Sequence, residues 1–146
     1  KPVEFDFFIH KEIDIKASPQ VVWDIFTNAG KWPEWYKKAE GIRLLYSPEG
    51  KLNLSSVFIW NPAGKFTSTI EEFKPPYNIA WLGETDDKRM TIYNAWLIIP
   101  TEDGCKVVSN ESQNGPNTKM EKIFAPNMVS KNIRQWLIKL KERAEK

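Results

Sequence analysis

The sequence predicts an α+β fold: a seven-stranded, curved antiparallel sheet wrapped around a long C-terminal helix, with two short helices between strands 1 and 2. Three observations support this prediction. Short apolar or alternating segments recur between turn-forming residues, an amphipathic helical segment follows the first of them, and another ends the chain. Because the strand-like segments are joined by short connections, they favour antiparallel pairing, and one sheet covered by one helix is an α+β plan.

The first predicted strand covers residues 7–16 and alternates apolar and polar side chains. Ile9, Ile13 and Ile15 occupy one parity, whereas His10 lies on the other parity among acidic and basic residues. A period of two predicts a strand with one buried face. His10 therefore falls on the solvent side, which favours a surface role over a catalytic one.

Two helices are predicted after this strand. Ser18 and Pro19 suit the N-cap and the first helical position, and the residues that follow place apolar side chains on one stripe. Gly30 suits the end of this helix, and a shorter helix then starts near Pro33. Since these helices can close one end of the curved sheet, we expect Trp32 and Trp35 at the rim of a pocket, although both side chains also suit simple core packing.

Six further strands are predicted, and turn residues such as the Asn-Pro-Ala-Gly stretch separate them. They cover residues 41–46, 55–60, 65–73, 77–82, 90–99 and 105–114. The chain then ends in a helical segment that begins with a capping-box pattern at residues 118–121. Roughly 26 residues would span roughly 40 Å, and Pro126 is expected to kink or split this helix.

Composition limits the function classes. The chain has 146 residues and a formal net charge of +2, which is typical of one domain over residues 1–146 and too weak for a nucleic-acid surface. No apolar run is long enough for a membrane span. With one cysteine, Cys105, and one histidine, the chain can form neither an internal disulfide nor a zinc site of the usual nitrogen and sulfur type. We therefore expect a cytoplasmic protein with no metal or other cofactor.

Three stretches carry a resemblance to a known family. "IDIKASPQVVWDIFTNAGKWPEW", "VFIWNPAGKFTSTIEEFKPPYNIAWLGE" and "YNAWLIIPTEDGCKVVSNES" resemble START-like (helix-grip) proteins of the polyketide cyclase/dehydrase and lipid-transport group, the SRPBCC superfamily. Cys105 stands where this pattern usually has a second hairpin glycine. The resemblance covers the chain from about Ile13 to the C-terminal helix, and it implies a helix-grip fold around a ligand cavity.

Strand alternation predicts which side chains face that cavity. The expected ligand-binding residues on the concave face of the sheet are Phe58, Trp60, Phe66, Ser68, Ile70, Trp81, Asn94, Trp96, Ser109 and Glu111. The first half of the last helix is expected to add Met120, Phe124 and Met128. An apolar wall with a few polar groups is typical of a small-molecule site, but the same aromatic residues also fill ordinary cores. For Glu111, the alternatives are a paired carboxylate, a carboxylate facing a cavity, or an incorrect face assignment.

Three functions remain open at this stage. The first is binding or transport of a hydrophobic, lipid- or polyketide-like small molecule between the sheet and the C-terminal helix, with no nucleic-acid partner. The second is a polyketide cyclase/dehydratase-type enzyme in which Glu111 moves a proton and Asn94 holds an oxygen, although no motif of a named mechanism is present. The third is a protein-interaction module like the chaperone ATPase activators that share the fold. The oligomeric state stays open.

Overall fold

The computed structural model describes residues 7–62, 64–119 and 127–146. Its strands are β1 (Phe7–Ile15), β2 (Arg43–Leu45), β3 (Val57–Trp60), β4 (Phe66–Lys74), β5 (Asn78–Glu84), β6 (Thr91–Thr101) and β7 (Gly104–Asn114). The α-helices are α1 (Pro19–Thr27) and α2 (Met128–Ala144). Three short 3₁₀ helices cover Ala29–Glu34, Lys37–Ala39 and Pro48–Gly50. Residues 116–119 are also helical.

The seven strands form one antiparallel sheet in the order β1-β7-β6-β5-β4-β3-β2. Consecutive strands from β2 to β7 are neighbours, whereas β1 pairs with the last strand. The chain therefore leaves one edge of the sheet after β1 and crosses through α1 and the first 3₁₀ helices to the opposite edge. This arrangement confirms the predicted α+β class, the strand count and the position of the short helices.

Helix α1 begins where the sequence predicts. The backbone N–H of Val21 donates to the Ser18 Oγ at 3.2 Å, and Pro19 occupies the first turn, where no intrahelical donor is needed. Val22 and Phe26 are fully buried on the inner face of the helix. The segment that follows is a 3₁₀ helix with Pro33 inside it. The two predicted helices are thus present, and the second is of the tighter type.

The strands at the β2 edge are shorter than predicted. Strand β2 has 3 residues and β3 has 4. Tyr46 and Ser55 have φ values of 55° and 69°, in the left-handed region that ends an extended strand. Ser55 is not a glycine, so the sequence does not mark the later start of β3, whereas β2 starts later than predicted because Gly41, with a φ of 80°, belongs to the preceding turn.

The C-terminal helix α2 has 17 residues, and they lie within the helical segment that the sequence predicts. Thr118 lies inside the helical stretch 116–119, and its Oγ1 donates to the Asn114 carbonyl at 3.3 Å, so Thr118 is not the N-cap. The predicted kink at Pro126 lies outside the described residues. The predicted inner face of the helix is confirmed, since it buries Ile133, Trp136, Leu137, Leu140 and Ala144.

The core lies between the concave face of the sheet, α1 and α2. Trp32 is fully buried at its centre, with its ring centroid 4.8 Å from that of Trp136 and 5.3 Å from that of Phe58. Phe26 of α1 packs against Trp96 of β6, with ring centroids 5.0 Å apart. Aromatic pairs at these separations stabilise a core beyond their buried area. Among the described residues, no helix combines the length and apolar character needed to cross a membrane.

Candidate ligand-binding cavity

A cavity of about 100 Å³ lies between the sheet and helix α2. One water molecule needs roughly 10–15 Å³ on this measure, so the cavity has room for a molecule larger than a water. Much of its wall is aromatic, and the rings that line it are those of Tyr36, Trp60, Phe66, Trp81, Trp96 and Trp136. Native cores leave few such voids between large side chains. The position and lining of the cavity therefore identify it as the candidate binding site.

Strand alternation places several of the predicted residues on the cavity wall. These are Trp60, Phe66, Ser68, Trp81, Asn94, Trp96 and Glu111. They come from β3, β4, β5, β6 and β7, which are consecutive in the sheet. Because side chains at i and i+2 share a face, one concave surface collects residues from all five strands.

Other predicted residues lie behind this wall. Phe58 is fully buried between Trp32 and Trp81, with ring centroids at 5.3 and 5.1 Å. Ile70 also belongs to the buried core. The hydroxyl of Ser109 donates to the Asn94 Oδ1 at 3.2 Å, so this serine contacts a lining residue without lining the cavity itself. A position on the concave face of the sheet is therefore not sufficient for a residue to line the cavity. Phe58, Ile70 and Ser109 lie on this face but are not among the lining residues.

Of the two readings that the sequence leaves open for Trp32 and Trp35, pocket rim or core packing, the contacts of both side chains favour packing. The Nε1 of Trp32 donates to the Phe26 carbonyl in the last turn of α1 at 2.8 Å, and this bond draws the indole into the core. Trp35 packs on Trp136 with ring centroids 4.7 Å apart. Neither residue is among those that line the cavity. The neighbouring Tyr36 lines it instead.

Of the three residues that the last helix is predicted to contribute, the structure describes only Met128. Met128 lines an outer groove together with Lys131 and Lys139, and not the cavity. Met120 and Phe124 lie outside the described residues. The helix contributes Val129, Asn132, Ile133 and Trp136 to the cavity wall.

Several lining residues were missed as site residues although a signal for them exists. Met90 and Ile92 share the parity of Asn94 and Trp96, so strand alternation extends the wall to them. Gly83 lines the cavity because it has no side chain: a Cβ there would lie 2.9 Å from the Ser68 Oγ. Only the three-dimensional packing shows that Ser68 lies too close to this position for a side chain.

A polar network crosses β6 and β7 at the cavity wall. Asn94 and Glu111 lie opposite each other in the register, and the Asn94 Nδ2 donates to the Glu111 Oε1 at 2.8 Å. The Gln113 Nε2 donates to the Glu111 Oε2 at 2.6 Å. The Glu111 carboxylate is only 6% exposed, and burial of such a group is costly unless it is hydrogen-bonded. Two of the alternatives for Glu111 therefore hold together: the carboxylate is paired and it lines the cavity.

Three polar atoms at this site have no hydrogen-bond partner within the part of the chain that the structure describes. They are the Trp96 Nε1, the Trp136 Nε1 and the Gln113 Oε1, and all three are buried. Their residues all line the cavity. Since the large majority of buried polar side-chain atoms in native structures are paired, three such atoms around one cavity require an explanation.

The single histidine and the single cysteine are not part of this site. His10 lies on the outer face of β1 and bonds to Asn110 at 2.6 Å and to Glu12 at 3.0 Å, and these bonds raise its pKa. Burial raises the pKa of the Cys105 thiol, with a further contribution from Asp14. Within residues 7–62, 64–119 and 127–146, no cluster of three or more His, Cys, Asp or Glu side chains could hold a metal ion.

Tyr36 gives a test of the buried wall. Burial raises the pKa of its hydroxyl to about 12. The unfolded chain releases this proton near a pKa of about 10, so the group lowers folding stability as the pH rises from about 10 to 12 and has no such effect below that range. Burial, with Glu72 and Glu71, also raises the pKa of Tyr93. A spectrophotometric titration is therefore expected to show late ionisation of both phenols, and Tyr36→Phe is expected to remove one of them. Ionisation of all tyrosines together in the folded protein would contradict the burial of Tyr36.

The fold and the cavity define a helix-grip protein with an internal site between the sheet and the C-terminal helix. The chain belongs to the family described as polyketide cyclase/dehydrase and lipid transport, because the sequence model of that family matches residues 8–145. A search of curated proteins finds no match.

Solved structures share the fold at low sequence identity. A hypothetical protein of Helicobacter pylori is 22% identical, with a TM-score of 0.88 over 98% of this chain and 90% of that one. Norcoclaurine synthase of Thalictrum flavum, in complex with dopamine and hydroxybenzaldehyde, is 14% identical, with a TM-score of 0.69 over 93% and 84% of the two chains. The di-domain ARO/CYC protein StfQ of the steffimycin biosynthetic pathway is 13% identical, with a TM-score of 0.75 over 94% of this chain and 50% of that one. At these identities the likeness concerns the fold.

Proposed function

We propose that the protein binds a small, largely apolar molecule in the cavity between the sheet and helix α2. The observation that carries this proposal is a cavity of about 100 Å³ with a largely aromatic wall that also includes the polar residues Ser68, Asn94 and Glu111. Small-molecule sites combine an apolar wall with a few placed polar groups in this way. The membership of the family described as polyketide cyclase/dehydrase and lipid transport supports the same function.

The size of the cavity favours a compact ligand. A volume of about 100 Å³ suits a molecule with one ring or a short chain, whereas a long lipid would require the wall to move. Tyr36 and Asn132 line both the cavity and the outer groove, and this shared wall supports entry of the ligand between the Lys37–Ala39 helix and α2.

The test is a titration with acetophenone, a neutral one-ring probe, followed by ¹H–¹⁵N NMR of the indole N–H signals. Ser68→Leu adds a side chain inside the cavity, next to Gly83, and is expected to weaken binding at least about tenfold. Thr67→Leu, on the opposite face of the same strand, is the matched control and is expected to bind normally. The proposal fails if acetophenone shifts no indole signal, or if both variants lose binding equally.

A second candidate, an enzyme of the cyclase/dehydratase type, rests on one observation: the Glu111 carboxylate forms part of an apolar cavity wall. A carboxylate in this position could accept a proton from the carbon next to a bound carbonyl, while an Asn94 N–H holds the oxygen. If turnover of a carbonyl substrate is found, Glu111→Gln is expected to reduce it by about 10²-fold or more while binding persists. Unchanged turnover would remove this role.

The interaction-module hypothesis predicts a collapsed cavity. The open aromatic cavity supports small-molecule binding over that alternative. Exposed apolar side chains are present at Leu45 and Tyr46 beside the short edge strand β2, but nothing in the structure shows what would cover them.

A further inference from the structure

The outer groove beside the cavity is rich in lysine. We infer that the ligand carries an anionic group, a carboxylate or a phosphate, which lies in this groove while the apolar part of the molecule occupies the cavity. This inference rests on the proposed function and specifies the ligand of the same site. It follows from the lysines that line the groove, from the lack of acidic partners for most of them, and from the wall that the groove shares with the cavity.

Lysines line the outer groove from two sides. Lys37 and Lys38 belong to the second 3₁₀ helix, whereas Lys131 and Lys139 belong to α2. Among the described residues that line the groove, Glu40 is the one acidic residue. Positive charge is therefore concentrated at this place, although the whole chain has a formal net charge of only +2. A surface with one sign of charge attracts ligands of the opposite sign.

Three of these lysines have no acidic partner in the described part of the chain. Lys139 forms an ion pair with Glu142 at 3.3 Å. By contrast, no described carboxylate lies within salt-bridge distance of Lys37, Lys38 or Lys131. An anion that enters the groove therefore meets cations that the protein does not itself neutralise.

Lys38 lies where the groove and the cavity meet. Its Nζ donates to the Asn132 Oδ1 at 2.5 Å, and Asn132 lines both the groove and the cavity. A lysine ammonium has three N–H donors, so this bond leaves two for the oxygens of a ligand. The contact thus holds a cation beside the shared wall, where an anionic group attached to an apolar body would lie.

The groove suits an ionised group better than the cavity does. Lys37, Lys38 and Lys131 are exposed, so an anion bound to them keeps part of its contact with water. Complete burial of an ionised group is far more costly. The cavity, with its largely aromatic wall and a volume of about 100 Å³, suits a compact apolar group. Together the two compartments fit an amphiphile with an apolar end, an anionic end and a linker between them.

A series of ligands with one apolar body tests the inference. The compounds are ω-phenylhexanoate, its neutral amide ω-phenylhexanamide and the cation ω-phenylhexylamine. By isothermal titration calorimetry at low salt, we expect the carboxylate to bind about three- to tenfold more tightly than the amide, and the amine to bind more weakly than the amide. This preference is expected to decrease as salt is added, because exposed charges are screened.

The same series identifies the anionic group. Tighter binding of ω-phenylhexyl phosphate than of the carboxylate would assign a phosphate to the groove, and the reverse order would assign a carboxylate. Equal binding of the carboxylate, the phosphate and the amide would overturn the inference while leaving the proposed function intact.

Two double variants locate the charge that is responsible. Lys38→Gln combined with Lys131→Gln removes two positive charges from the groove and is expected to reduce the preference for carboxylate over amide to about twofold or less. Lys51→Gln combined with Lys74→Gln is the matched control, because it removes the same charge from lysines that line neither the groove nor the cavity. This control is expected to keep the preference.

Equal preferences in the two double variants would overturn the inference, because the selectivity would then reflect the net charge of the protein and not the groove. Absence of binding by the whole phenylhexyl series would overturn it as well. The acetophenone titration decides the proposed function separately, since that neutral probe has no group for the outer groove.

Discussion

Replacement of Trp32 with alanine is expected to lower the free energy of unfolding by about 3–5 kcal/mol, which is the usual cost of truncating a buried large aromatic side chain. Trp32 is fully buried. Its ring contacts Phe58 on the sheet and Trp136 on α2, and its Nε1 bonds to Phe26 in α1. One side chain thus connects the sheet, α1 and α2. Its loss would leave a cavity whose walls belong to three separate elements, and these elements cannot easily move together to fill it.

Trp32→Phe separates the hydrogen bond from the packing. Phenylalanine keeps much of the apolar contact but leaves the Phe26 carbonyl without its indole donor, so we expect a loss of about 1–3 kcal/mol, below that of the alanine variant. Urea unfolding followed by far-UV circular dichroism measures both values and avoids the change in tryptophan fluorescence. Leu54→Ala, at a side chain that is 60% exposed, is the surface control and is expected to change stability by about 0.5 kcal/mol or less. A Trp32→Ala loss no larger than that control would show that Trp32 does not hold the layers together.

The sheet was predictable because its strands are short, alternating and separated by turn residues. In β1 and β7 the predicted inner faces are buried at Ile9, Ile15, Val107 and Glu111, as strand periodicity requires. The start of β3 was not predictable, because Ser55 adopts a positive φ without being a glycine. A positive φ at a residue other than glycine cannot be predicted from the local sequence, because it depends on contacts with other parts of the chain.

Part of the site was predictable for the same reason. Alternation places Asn94 and Glu111 on one face, and the β6–β7 hairpin register then places them opposite each other. The position of Trp32 was not predictable, because an aromatic side chain suits a rim and a core equally and a backbone carbonyl at the end of α1 decides between them. Tyr36 and Asn132 become lining residues only through the packing of a 3₁₀ helix against α2, which no pattern within either segment indicates.

Gly115 is the position where a single methyl group is expected to have the second large effect. It follows β7 with a φ of +115°, and a Cβ there would lie 2.3 Å from the Arg89 carbonyl oxygen. That oxygen is held in place, since it accepts the Asn117 backbone N–H at 3.1 Å. Gly115→Ala therefore meets backbone and not a flexible side chain, and we expect a loss of about 3–5 kcal/mol in the free energy of unfolding.

Gly41 provides the matched control for Gly115. Its φ is +80°, but a Cβ there would meet nothing within 4 Å, so Gly41→Ala carries only the conformational cost of about 1 kcal/mol. The difference between the two variants in the free energy of unfolding, measured with urea, isolates the cost of the steric clash. Equal losses would mean that the backbone at Arg89 can shift at no cost to accommodate the methyl group. Because Arg89 directly precedes Met90, which lines the cavity, a clash at Gly115 is also expected to weaken acetophenone binding, whereas Gly41→Ala leaves it unchanged. The turn after β7 thus connects the stability of the sheet to the shape of the site: the same glycine that lets the chain leave the sheet keeps Met90 in the cavity wall.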